Sequence, residues 1–332
     1  MGVLGAKEGA RRFGSRGFLI LVFLIVSFAV KGEDDMPFAF RVQAVPFGFG
    51  DVSFQVEGFE ILRYNAGQHG KRPFLFPLVG PSGRMLTRMG HPHDPEGHRH
   101  HYSVWWAHQS VNGENFWTDE SPCKQVHDAI LLLEDGQSQA RLQCRILWVG
   151  EDQKPVLREN REMTVTYASS LQAPPMSDPG EAYWTLDLVS RFETVEGPVA
   201  LGQTPFGFLG IRLAKPLGVH DGGGRIRNAL GGVNEKQVLG EPSFWCDYAG
   251  LSAREQWEGI LCFDHPKNPG FPAQWHVRND GWMCPSQFRE ESFRLEQGES
   301  LALKHRLTVH AGDWGVERCQ RAYEEWIPKG DQ

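Results

Sequence analysis

The stretch Leu301-Ala302-Leu303-Lys304-His305-Arg306-Leu307-Thr308-Val309-His310 decides the fold class. Leu301, Leu303, His305, Leu307 and Val309 fall on one side of an extended chain, and Lys304, Arg306, Thr308 and His310 fall on the other. Alternation of period two marks a strand with one buried face. The same period returns in Val52-Ser53-Phe54-Gln55-Val56, Arg141-Leu142-Gln143-Cys144-Arg145-Ile146 and Thr185-Leu186-Asp187-Leu188-Val189. Gly80-Pro81-Ser82-Gly83 and Asp221-Gly222-Gly223-Gly224 are turn-forming breaks between such runs. Helices alternating with the strands, as a parallel sheet requires, are missing. The expected fold is therefore all-β, a large antiparallel β-sandwich. One helix is predicted at the C-terminus. Asp313 is placed to N-cap it, Val316, Cys319, Tyr323 and Trp326 recur at helical spacing, and Pro328 stops it. His305, on the apolar face of its strand, reads as a core histidine.

The chain has 332 residues, of which 40% are hydrophobic and 23% charged, a balance that excludes intrinsic disorder. Arg11, Arg12 and Arg16 precede an apolar run from Gly17 to Val30. A charged start and a short apolar run predict a signal peptide over 1–32, with an N-terminal membrane anchor through 17–30 as the alternative. Either places the rest outside the cytoplasm, periplasmic or extracellular. Residues 33–332 read as a single domain, because no linker is long enough to split the body and the Pro-containing stretch 171–180 reads as a surface loop. The formal charge is −7; without residues 1–32, which carry five basic residues and one acidic residue, it becomes −11. Nucleic acid is thereby disfavoured as a partner, and a small-molecule or glycan ligand is expected. The six cysteines form no C-x-x-C pair. Export permits disulfides, but several lie in apolar runs, where buried free thiols are the simpler reading.

Six of the 13 histidines, His91, His93, His98, His100, His101 and His108, fall within 18 residues beside Tyr102, Trp105 and Trp106. Imidazole suits proton transfer near neutral pH and metal ligation alike. If 98–108 is extended, His98, His100, Trp106 and His108 share a face, and His98, His100 and His108 would be the ligands of a metal ion. His91 and His93 flank Asp94-Pro95-Glu96-Gly97 and read as a solvated loop. Further on, Trp245-Cys246-Asp247-Tyr248, Phe263-Asp264-His265-Pro266 and Gln274-Trp275-His276-Val277-Arg278 form a second constellation. In a strand, His276 and Arg278 point one way and Trp275 the other. Arg212 stands opposite Leu209, Ile211 and Leu213 and is a candidate clamp for a carboxylate or a hydroxyl-rich ligand. Indole faces beside hydrogen-bonding side chains are what a sugar ring needs.

These motifs resemble the PmoA-like family of exported bacterial proteins. The matching blocks begin with Arg72-Pro73-Phe74-Leu75-Phe76-Pro77-Leu78-Val79-Gly80-Pro81-Ser82-Gly83 and the His98–His108 stretch. They continue through Val111-Asn112-Gly113-Glu114-Asn115-Phe116-Trp117, Leu209-Gly210-Ile211-Arg212, Trp245-Cys246-Asp247-Tyr248, Phe263-Asp264-His265-Pro266 and Trp275-His276-Val277-Arg278. The resemblance implies a sandwich like the galactose-mutarotase supersandwich. The methane-oxygenase activity in the family's label is not expected, since such a subunit needs several apolar spans of about 20 residues and the body has none. The leading expectation is sugar chemistry with His100, His101 and His276 as acid or base and Asp247 or Asp264 as partner carboxylate. Arg212, Arg278, Trp106, Trp275, Glu114 and His265 would bind the ligand, without a cofactor. A non-catalytic glycan-binding module and a metal-dependent enzyme are the alternatives.

Overall fold

A computed structural model describes residues 42–67, 70–90, 98–168, 183–252 and 256–327. The segment 1–32, His91, His93, the loop 171–180 and Pro328 lie outside the described residues.

Two eight-stranded antiparallel sheets carry the fold. The first runs β1 (Val42–Pro46), β2 (Val52–Val56), β3 (Phe59–Asn65), β4 (Phe74–Leu78), β5 (Val104–Ala107), β11 (Phe208–Arg212), β16 (Trp282–Ser286), β15 (Gln274–Arg278). The second runs β12 (Arg225–Asn228), β13 (Trp245–Leu251), β14 (Trp257–Asp264), β18 (Ser300–Ala311), β9 (Tyr183–Thr194), β8 (Pro155–Ala168), β7 (Gln139–Val149), β6 (Lys124–Glu134). A short ribbon pairs β10 (Val199–Leu201) with β17 (Phe293–Leu295). The expected all-β sandwich is what forms. The strand β18 shows why: its alternation lets Leu301, Leu303, Leu307 and Val309 enter the core while its backbone pairs β14 on one side and β9 on the other.

Leu142, Ile146, Leu186 and Leu307 of the second sheet meet Val52, Phe54, Val104 and Ile211 of the first in one apolar core. A polar knot is sealed inside it. Glu159 accepts hydrogen bonds from Arg161 Nε (2.7 Å) and Nη2 (2.9 Å), Trp148 Nε1 (2.9 Å) and Ser190 Oγ (2.7 Å). The Arg161 guanidinium lies 3.7 Å from the ring of Trp106, joining the two sheets. The edge strand β6 is interrupted by register shifts between His127 and Ala129 and between Ile130 and Leu132.

Two short helices, α1 (Val219–Gly222) and α2 (Asn234–Val238), precede the C-terminal α3 (Val316–Trp326). The last packs Cys319 and Tyr323 against Trp245, Leu261 and Phe263 of the second sheet. Its N-cap is Gly315, not Asp313. The Asp313 carboxylate instead takes Arg227 at 2.6 Å and 3.2 Å and Arg225 at 3.3 Å, and two guanidinium partners outcompete a cap. All six cysteines are free and buried. Among the described residues no helix is long and apolar enough to cross a membrane.

Candidate functional site

The outer face of the first sheet carries an aromatic cluster apart from the main core, made of Trp105, Ala107, Trp117, Trp282 and Cys284 with Phe74, Tyr102 and Phe206 against it. The strand period explains which residues arrive there. In β5, Val104 and Trp106 enter the core, so Trp105 and Ala107 face out. In β16, Met283 goes in while Trp282 and Cys284 go out. In β15, Trp275 and Val277 are core residues, and His276 projects from the other face. Gly210 of β11 pairs with Trp105, and a Cβ there would lie 2.5 Å from Trp105 Cζ2, so the missing side chain is what lets the indole lie against the backbone.

Three imidazoles converge on this floor. Ser103 has φ 59°, which breaks the extended path before β5 begins, and the His101 amide bonds the His98 carbonyl at 3.3 Å in a turn. That turn lays His101 over Trp105, with ring centres 4.9 Å apart and planes 22° apart, and brings it 4.7 Å from Trp282. His100 meets His101 edge-on at 4.7 Å and Trp117 at 5.9 Å. From the other side, His276 lies 4.3 Å from Trp282 and 5.7 Å from Phe206. Two buried arginines flank the group. Arg212 forms a fork with Asp280 at 3.0 Å and 3.4 Å, and the same carboxylate lies 3.4 Å from His98 Nδ1. Arg72 donates to Asp119 at 3.1 Å, and the Tyr102 hydroxyl donates to the other Asp119 oxygen.

Burial holds these imidazoles neutral. It pushes His100 down to about 4, with Arg72 adding to the effect, and His276 down to about 4, helped by Arg289 and Arg278. His101 is driven well below the usual histidine value by burial, then by His100 and Arg212. Burial and the bond to Asp119 raise the Tyr102 phenol. The polar atoms here are largely unspent. Buried and without a hydrogen-bond partner are His100 Nε2, His101 Nδ1, His276 Nδ1, Trp105 Nε1, Trp282 Nε1, Arg212 Nε, and Arg72 Nε and Nη1. Buried polar groups are otherwise nearly always paired, so such a concentration singles this cluster out as the candidate site.

The sequence candidates divide between this site and elsewhere. His100, His101, His276 and Arg212 come together. Arg278 stands at the rim, exposed, with Nε 3.1 Å from Glu235. Trp106 and Trp275 lie in the inter-sheet core, and the site's indoles are Trp105, Trp117 and Trp282. The expected face of 98–108 failed at Ser103, whose left-handed backbone shifts the phase. Asp264 is fully buried at the end of β14, bonded by Asn268, Gln287 and the Ala273 amide. Asp247 is buried on β13, 3.0 Å from His310 Nε2. Glu114 accepts from the Glu151 amide, and His265 accepts from the Lys267 amide beside Trp326. His108 is stacked on Phe208 at 4.7 Å, away from His98 and His100, with Nε2 2.9 Å from the Gly202 carbonyl. Among the described residues no three His, Cys, Asp or Glu side chains gather as a metal-binding group.

The carboxylates beside the site are Asp280, Asp119 and Glu120. Sequence reasoning missed all three. For Asp280 a signal existed: Asp280-Gly281 is a hairpin dipeptide that returns the chain from β15 to β16. Asp119 and Glu120 carry no pattern.

Fold and site together define a two-sheet antiparallel protein with a histidine–tryptophan site on the outer face of one sheet. The chain belongs to the DUF6807 family, a family of unknown function, which matches residues 51–324. No curated protein matches. Among solved structures, a TPR-domain containing protein from Parabacteroides distasonis is similar at a TM-score of 0.28 and 8% identity, over 84% of this chain and 49% of the other. This chain thus spans about half the length of that one, and the likeness is too weak to bear on fold or function.

Proposed function

We propose that this is an exported carbohydrate-active protein of the PmoA-like kind, with a mutarotase-like sandwich. A sugar ring is held at the edge of the Trp105, Trp117 and Trp282 cluster, and His100, His101 and His276 exchange protons with it. The observation that carries this reading is the set of unspent nitrogens on side chains packed around one aromatic floor. Indole faces take the C–H side of a sugar, and the imidazole and indole N–H groups take its oxygens. Asp280 and Asp119 position Arg212, Arg72 and Tyr102 around that ring. The clustered basic residues and apolar run of 11–30 support export.

The test is binding and turnover of a broad sugar and glycan panel by the purified full chain. Loss of both in His100→Ala and His276→Ala, with the fold intact by circular dichroism, is the expected result. Variants that bind and turn over like the parent would remove the site assignment. Export is tested by N-terminal sequencing of the protein recovered outside the cytoplasm.

One observation favours a second reading, a binding module without turnover. Among the described residues no carboxylate is hydrogen-bonded to His100, His101 or His276, and imidazoles near 4 are weak bases at neutral pH. Glycan binding with no conversion of any panel member would select it.

A further inference from the structure

We infer that the ligand of this site carries a carboxylate: the ring it holds is an acidic sugar, a uronate or a glycan ending in one, received by Arg72 and Arg212. This rests on the sugar-ring reading above and names the class of sugar.

The argument is one of donors against acceptors. Guanidinium and indole nitrogens donate hydrogen bonds and cannot accept them. Five of the unspent atoms at the site are of this kind: Arg72 Nε and Nη1, Arg212 Nε, Trp105 Nε1 and Trp282 Nε1. The three imidazole nitrogens can serve either way. Unspent buried oxygens elsewhere belong to side chains committed to other places, such as Gln125, which donates to the Trp106 carbonyl, and Gln287, which donates to Asp264. A neutral sugar presents hydroxyls, each of which must also donate, and the site holds few free acceptors for them. A carboxylate only accepts. It matches the inventory and gains the added strength of charge-assisted bonds.

The local charge agrees, although the whole chain is acidic. The groups whose fields act on His100, His101 and His276 include Arg72, Arg88, Arg212, Arg278 and Arg289, against the carboxylates Glu120 and Asp280, with Asp119 paired to Arg72 and Glu235 to Arg278. Arg72 and Arg212 are each 1% exposed. A buried guanidinium with idle donors is costly and persists where something else uses those donors. An incoming negative charge would also lift the depressed imidazoles back toward the range in which they exchange protons.

The experiment titrates the full chain with galacturonate, galactose and malate, reading tryptophan fluorescence and isothermal heat. Galacturonate is expected to bind at least about tenfold more tightly than galactose, since the two differ only in the carboxylate. Arg72→Gln and Arg212→Gln should each reduce that preference to about threefold or less, whatever they do to galactose itself. If a glutamine variant fails to fold, Trp282→Phe, which keeps an aromatic side chain and removes the N–H donor, should weaken galacturonate by a larger factor than galactose. Equal affinity for galacturonate and galactose overturns the carboxylate and leaves the sugar reading standing. A preference untouched in Arg72→Gln, Arg212→Gln and Trp282→Phe overturns the donor assignment. Malate binding as tightly as galacturonate keeps the anion and overturns the sugar.

Discussion

Acidification from about pH 7.5 to about pH 5 is expected to cost this fold a large share of its stability, through histidines kept neutral inside it. Burial lowers His100, His108 and His276 to about 4 from an ordinary 6.5. On lowering the pH the unfolded chain binds these protons first. The stability they confer is full above 6.5 and is lost as pH falls through 4. At pH 5 each group that is fully shielded has cost about 2 kcal/mol. The three together reach at most about 6 kcal/mol, less for the half-buried His276, against a total of roughly 5–15 kcal/mol for a domain. His101 acts in the same sense. Asp264 and His305, 3.8 Å apart, nearly cancel. Burial raises Asp264 to about 7, so acid restores stability there, and it lowers His305 to about 3, so acid removes stability. The assay is urea unfolding followed by circular dichroism at the two pH values. His108→Gln, which lies outside the aromatic cluster, should shrink the acid loss by about 2 kcal/mol. Stability at pH 5 within about 1 kcal/mol of that at pH 7.5 would refute the claim that these rings are held neutral by burial.

Gly210→Ala should force Trp105 off the backbone, costing about 1–3 kcal/mol in urea melts and altering the near-ultraviolet dichroism; an unchanged spectrum would mean the indole does not rest there. Arg161→Met should cost about 3–5 kcal/mol, because it strands the fully buried Glu159 carboxylate, and Glu159→Gln with Arg161→Met should recover part of that loss. The six buried thiols should be silent to a thiol reagent in the native protein and all react in guanidinium chloride, whereas fewer than six reacting when unfolded would reveal a disulfide.

What could be read from the sequence was whatever depended on strand period. The faces of β18, β15 and β11 follow from alternation alone, which sets His276 opposite Trp275 and Arg212 opposite Ile211; that these faces are the outer side of the first sheet is visible only in the fold. The stretch 98–108 misled because a single left-handed residue, Ser103, resets the phase, and no pattern in one sequence marks a serine for that backbone. Unbroken alternation therefore points to Trp106 where the site holds Trp105. Asp247 and Asp264 attracted attention as carboxylates beside aromatic residues. Asp247 is buried against His310 across 63 residues, whereas Asp264 is held in a local turn by Asn268, four residues on, and by Gln287. Asp119 reaches Arg72 across 47 residues. Such pairings belong to topology and leave no local trace.

The two register shifts in β6 bear on how the protein behaves when concentrated. Among the described residues an eleven-residue strand ends the large sheet with no strand paired on its outer side, an edge that can pair with a neighbouring chain. Val126 and Leu131 are exposed on it and would make such pairing adhesive. Bulges at His127/Ala129 and Ile130/Leu132 twist the rim, so that a second straight strand meets it out of step. Excising one residue at either bulge would straighten the ladder, and the protein most at risk would be the freshly purified one, turning cloudy on storage with its fold still intact.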